Sequence, residues 1–154
     1  MSQLNQMKKI SLLLTSILFC TIIHAQSTNK EEQAVQQAVE NMFTALTGVD
    51  TVALKTLVTT DVRFYEYGEA WPLDTLIKLI TQSASTPGFK RTNQFQFVKT
   101  VVRNETAWVT YYLQSEITRN GKKELVKWME TVVLVKQKEQ WKIQLLHSSL
   151  ISRT

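Results

Sequence analysis

The spacing of apolar residues changes character once along this chain. From Asn29 to Asp50, the residues Val35, Ala38, Val39, Met42, Phe43 and Leu46 return at three- and four-residue steps, which places them on one face of a helix. Asn29 or Ser27 is positioned to cap its start, Glu31 and Glu32 suit the positive end of its dipole, and Gly48 marks its exit. A shorter helix is predicted from Thr51 to Val58, with Val52, Leu54, Leu57 and Val58 apolar. Asp61 then opens a strand, Val62 to Tyr67, rich in β-branched and aromatic types. Gly68 punctuates, and Pro72 stands in the first turn of a third helix that ends near Ser83, ahead of the turn Thr86-Pro87-Gly88.

From Phe89 onward the helical period disappears. Four long strands fit, Phe89–Val102, Glu105–Arg119, Lys122–Lys138 and Gln140–Ser152. Polar breaks separate them, and Asn120-Gly121 is a strong two-residue hairpin signal. Strict alternation in the last strand puts Trp141, Ile143, Leu145, His147 and Ser149 on one side, and Lys142, Gln144, Leu146 and Ser148 on the other. The order α-α-β-α-β-β-β-β predicts an α+β domain with helices on one face of a bent antiparallel sheet.

The first 25 residues have a different logic. Lys8 and Lys9 precede an apolar run from Ile10 to Ile23, broken only by hydroxyl residues and Cys20, and Ala25 offers a cleavage point before the polar Gln26-Ser27-Thr28-Asn29. The run is shorter than the roughly 20 residues a bilayer requires. It is therefore predicted to be a cleaved export signal, with a periplasmic or extracellular destination. A lipoprotein with Cys20 acylated is the alternative, and Phe19 occupies the place where a small residue is expected.

Removing that leader changes the chemistry available. The mature segment, residues 26–154, carries sixteen basic and thirteen acidic residues, a formal charge of +3 instead of +5. It retains no cysteine and one histidine, His147. Disulfides, thiol nucleophiles, cysteine zinc sites and a multi-histidine metal centre within one chain are excluded from it, so no metal or cofactor is expected. A hydrophobic share of 44% across 154 residues suits one domain and argues against disorder. The basic residues Lys90 and Arg91, Lys122 and Lys123, and Lys136 and Lys138 fall at strand ends and turns, where they keep sheet edges soluble. A nucleic-acid partner is not expected. Asn104-Glu105-Thr106 matches a glycosylation triplet that is common by chance.

The segments Met42-Phe-Thr-Ala-Leu-Thr-Gly-Val-Asp50, Leu57-Val-Thr-Thr-Asp-Val-Arg-Phe-Tyr65 and Trp141-Lys-Ile-Gln-Leu-Leu-His-Ser-Ser149, in this element order, resemble the nuclear transport factor 2-like superfamily. The likeness is to its polyketide-cyclase-like (SnoaL-like) and ketosteroid-isomerase-like branches and spans residues 30–152. It implies a cone-shaped roll, a curved antiparallel sheet wrapped on one long N-terminal helix plus two shorter helices, with a pocket at the open end. It also implies a homodimer through the outer sheet face, for which Tyr111, Leu113, Val133 and Val135 are candidates. From the isomerase branch, the general-base position falls on Glu66. The oxyanion tyrosine falls on Met42, which donates no hydrogen bond, so steroid-isomerase chemistry is not expected.

Fold alone does not set function. Glu66 either points into the cone with a raised pKa or is a solvated strand-end carboxylate. His147 is either an acid/base group in the pocket or a satisfied core histidine. Ser149 lies two residues from it on one strand, roughly 7 Å away at the backbone, too far for a nucleophile–base pair. Met42, Phe43, Phe64, Phe97, Trp128 and Ser149 are candidate ligand-lining residues, and Trp71, on a loop, either covers a ligand or plugs the helix end. The expected function is binding of a small apolar or aromatic molecule. The alternatives are acid/base lyase, isomerase or cyclase-like chemistry on Glu66 or His147, and a dimerisation module whose cone is filled by Met42, Phe43, Phe97 and Trp128.

Overall fold

A computed structural model describes residues 30–154. The leader and the cap residues Ser27 and Asn29 lie outside the described residues. Helix α1 covers residues 30–48 and buries Val35, Ala38, Val39, Met42, Phe43, Ala45 and Leu46, the face that the apolar spacing picks out. It ends in a Schellman turn, in which the Asp50 N–H donates to the Ala45 carbonyl at 2.9 Å and the Val49 N–H to the Leu46 carbonyl at 3.3 Å. Gly48 is the last helical residue. The left-handed position falls instead on Val49, with φ of 54°, where a β-branched side chain is strained. Asp50 caps α2 (Thr51–Leu57), its carboxylate accepting from the Ala53 N–H at 2.9 Å.

Strand β1 (Val58–Glu66) begins four residues earlier than the β-branched run indicates, because Val58 and Thr59 are already buried in the sheet. Tyr67 and Gly68, with φ of 52° and 79°, turn it into β2 (Glu69–Trp71), which pairs Phe64 with Trp71. Trp71 is thus a strand residue and not part of a loop. Tyr67, not Asn or Asp, leads the turn, so the usual sequence signal of a hairpin is missing. Pro72 precedes α3 (Leu73–Ala84), which buries Leu76. The strands β3 (Lys90–Arg103), β4 (Thr106–Arg119), β5 (Lys122–Gln137) and β6 (Gln140–Arg153) follow as a meander, each within a residue or so of its expected bounds.

The six strands form one sheet in the order β2-β1-β6-β5-β4-β3. All neighbours are antiparallel except β1 and β6, which run parallel because α3 and the meander intervene. Extra residues bend the sheet around α1. Val98 is unpaired in β3, and Gln144 and Ile151 are unpaired in β6. The inner face joins α1 in one core, in which Val109, Val132, Leu134 and Ile143 are fully buried. Architecture and class agree with the α+β cone expected from the sequence.

The bulge at Gln144 changes which face the last part of β6 presents. Strand phase flips there, so Trp141 and Ile143 face inward before it and Leu146 and Ser148 after it. His147 and Ser149 therefore lie exposed on the outer face, opposite to the side on which unbroken alternation puts them. Of the candidate dimer-face residues, Tyr111 and Leu113 are corrected as well. Both are fully buried on the inner face, and only Val133 and Val135 take the outer one. No helix of the described residues is long and apolar enough to cross a membrane.

Candidate ligand site in the cone

The cone does not pack solid. An interior cavity of about 80 Å³ lies between α1, α3 and the sheet, walled by Phe43, Leu46, Phe64, Leu76, Ile80, Trp128 and Leu146. Glu66, Arg91, Glu130 and Ser148 supply its polar side. Each reaches it through strand phase: Glu66 follows Phe64 on β1, Ser148 follows Leu146 on β6, and Glu130 sits between Trp128 and Val132 on β5.

Glu130 is 4% exposed. Its two carboxyl oxygens accept from the Tyr111 hydroxyl at 2.7 Å and the Ser148 hydroxyl at 2.7 Å. Burial pushes its pKa up to about 7, against the lowering effect of those two hydrogen bonds, and the nearby Glu66 carboxylate adds to the rise. Glu66 is also raised by burial, with Arg91, Arg153 and a hydrogen bond with Tyr67 opposing. Tyr111 is held well above its ordinary value, first by burial and then by the Glu130 charge, so it stays a donor.

Arg91 is the cation of the site. Its Nε donates to Asn93 Oδ1 at 3.0 Å and its Nη2 to Ser115 Oγ at 3.1 Å. Ser115 Oγ in turn donates to Asn93 Oδ1 at 2.6 Å, and Asn93 Nδ2 donates to Thr47 Oγ1 on α1 at 3.1 Å. The guanidinium lies over the rings of Phe43 and Trp128, 5.8 and 5.6 Å from their centroids. Desolvation lowers its pKa, and Glu130 and Glu66 oppose that, but a guanidinium stays charged in any case. Trp128 Nε1 is buried and has no hydrogen-bond partner among the described residues.

The candidate residues separate on this geometry. Glu66, Phe43, Phe64 and Trp128 line the cavity. Met42 is fully buried in the core away from the lining. Phe97 stacks on Phe95 at 5.9 Å, also outside it. Trp71 packs against the core, with its Nε1 donating to Glu69 Oε2 at 2.7 Å and its ring 6.5 Å from Tyr67. His147 borders a separate outer hollow of about 280 Å³, with Tyr65, Gly68 and Glu69, which Glu66 and Ser148 also touch.

Arg91, Tyr111, Glu130 and Ser148 were not singled out from the sequence as site residues. The expected solubilising pair Lys90 and Arg91 is split, because strand phase puts Lys90 outside and Arg91 within. The signal for Glu130 was present: it shares parity with Val126, Trp128, Val132 and Leu134 in a strand whose other face carries Lys127, Met129 and Thr131. Among the described residues, no group of three or more His, Cys, Asp or Glu side chains is arranged to hold a metal.

The model of the SnoaL-like domain matches residues 35–153. The chain belongs to the SnoaL-like domain family. Solved structures agree on the fold of this SnoaL-like domain. A conserved protein from Planctomyces limnophilus superposes with a TM-score of 0.72 at 16% identity, covering 80% of this chain and 99% of that one. A ketosteroid isomerase-like protein from Erwinia carotovora atroseptica gives 0.64 at 21% identity, over 80% and 98%. The CaMKII hub of S. rosetta gives 0.67 at 21% identity, over 78% and 96%. Their likeness establishes the nuclear transport factor 2-like fold and nothing of activity. No curated protein matches the sequence.

Proposed function

We propose that this SnoaL-like domain binds a small molecule in the cone, without a cofactor and after export from the cytoplasm. The observation that supports this reading is the interior cavity, where an apolar wall meets Glu66, Arg91, Glu130 and Ser148. A few convergent polar groups on an apolar wall are the usual composition of a ligand site. The size limits the ligand. About 80 Å³ is well under the roughly 300–1,000 Å³ of sites for drug-sized molecules, so a compact ligand fits better than a multi-ring one. Native mass spectrometry of the purified protein, compared with the same sample denatured, tests the reading. A small adduct lost on denaturation supports it, and a bare mass that no small organic molecule changes opposes it.

A second reading, acid/base turnover of the bound molecule, is favoured by Glu66 and Glu130, two carboxyls with raised pKa on one cavity. His147 drops out of this reading because it faces the outer hollow. For assembly, we infer a homodimer through the outer sheet face. There Trp108 pairs with Val133, Val133 with Leu145, and Tyr112 with Met129, a partly exposed apolar band. Light scattering on Tyr112→Glu tests it: a dimer that becomes monomeric supports this face, and a dimer unaffected by the change points elsewhere.

A further inference from the structure

We propose that the cone cavity takes a short-chain carboxylate, its anionic head on Arg91 and the Trp128 indole N–H and its alkyl tail against Phe43, Phe64, Leu76 and Leu146. The inference rests on the small-molecule reading above and names the class. Its first support is how Arg91 is held. Among the described residues, no carboxylate oxygen lies within 4.0 Å of the guanidinium. Its hydrogen bonds go to Asn93 and Ser115, neutral acceptors that orient the fork without cancelling its charge. A half-buried cation fixed by neutral groups is preorganised for an incoming anion.

The second support is Trp128 Nε1, an N–H in a side chain only 5% exposed with no acceptor among the described residues. Leaving such a donor unpaired costs stability, and a carboxylate oxygen beside Arg91 supplies the missing partner. The cavity sets the length of the tail, since an apolar cavity of about 150 Å³ admits benzene and this one has about 80 Å³.

Glu66 on β1 and Glu130 on β5 repel an anion, which excludes a dianion and links binding to a proton. The groups facing Glu130 are Tyr111 from β4, Ser148 from β6, Arg91 from β3 and Glu66 from β1, and the lining from α1 and α3 is apolar. Glu130 titrates at about 7 and is the group placed to keep or take up that proton. Binding is then strongest below that pH and falls as Glu130 ionises, by about tenfold between pH 6 and pH 8 for one linked proton.

The test is titration of the full mature chain with propionate and, separately, with n-propanol, following the Trp128 indole N–H by nuclear magnetic resonance at pH 6 and pH 8. The expected result is propionate binding that moves the indole signal, weakens about tenfold at pH 8, and is lost at least tenfold in Arg91→Met while that variant stays folded by circular dichroism. Glu130→Gln is expected to bind propionate with little pH dependence. If Arg91→Met does not fold, the pH dependence of the unsubstituted protein decides alone. Propanol binding as well as propionate, with no pH dependence, overturns the carboxylate assignment and leaves small-molecule binding standing. Binding of neither removes both.

Discussion

Two carboxylates at opposite ends of α1 show what the two halves of the cone are built for. Glu31, near the start of the helix, meets Lys136 Nζ at 3.1 Å and accepts from Trp141 Nε1 at 3.0 Å. Those contacts, the Lys136 hydrogen bond first, hold its pKa below the ordinary value. Around it the sheet closes on apolar side chains, with Val35, Val39, Leu134 and Ile143 fully buried. Glu130, toward the other end, is more deeply buried, lies against two hydroxyls, and is driven up to about 7. The Glu31 end behaves as a seal, where charge sits at the rim and is paired. The Glu130 end keeps polar groups inside, where desolvation costs stability and dry packing is incomplete. A fold that holds such groups against that cost is arranged for something other than stability alone.

Substitutions break this comparison in order of size. Leu134→Ala at the sealed end removes a fully buried side chain and is expected to cost about 2–5 kcal/mol, equally at pH 5 and pH 8, by urea denaturation. Glu130→Gln acts through pH. In the folded protein Glu130 keeps its proton where the unfolded chain has released it, so its contribution to stability is complete below about pH 4.5 and declines as pH rises to about 7. The full swing is about 3 kcal/mol. Glu130→Gln is therefore expected to flatten the loss of stability between pH 5 and pH 8, and a variant that keeps the slope of the parent assigns the slope elsewhere.

Val49→Gly relieves the left-handed turn that leads from α1 toward the cavity end and is expected to raise stability by about 1 kcal/mol in thermal unfolding. Glu31→Gln gives the smallest effect. Its side chain is 38% exposed, so solvent screens the pair, and a loss below about 1 kcal/mol is expected. Because the pKa of Glu31 is lowered, that loss is present above its ordinary titration range and vanishes as pH falls through the folded value. A large, pH-independent effect of Glu31→Gln contradicts the rim-pair account.

The sealed half was legible from spacing, the open half much less so. Val35, Val39, Met42 and Leu46 repeat at helical steps, and Asn120-Gly121 announces its hairpin, so α1 and the β4–β5 turn follow from local rules. Glu66 stands out in the sequence as a candidate, but alternation near a strand end leaves open whether it points into the cone or into solvent, and only the assembled sheet puts it on the cavity. His147 and Ser149 were misplaced because one unpaired residue, Gln144, reverses the phase of β6, and no local pattern marks that bulge. Arg91, Tyr111 and Glu130 were hidden for a different reason. Their parity places them inward, but only the assembled sheet brings residues from β3, β4 and β5 into one polar cluster. Tyr111 was even assigned to the outer face, since a tyrosine in an alternating strand fits either side until its hydroxyl finds a partner.

The most direct test is the titration of Glu130 itself, followed by the carboxyl carbon signal of ¹³C-labelled glutamate and assigned by its loss in Glu130→Gln. The account predicts a midpoint near pH 7, accompanied by a shift of the Trp128 indole signal across the cavity. A midpoint in the ordinary glutamate range, with no response from Trp128, would mean that water reaches the carboxyl freely and that the polar interior of the cone does not exist in solution.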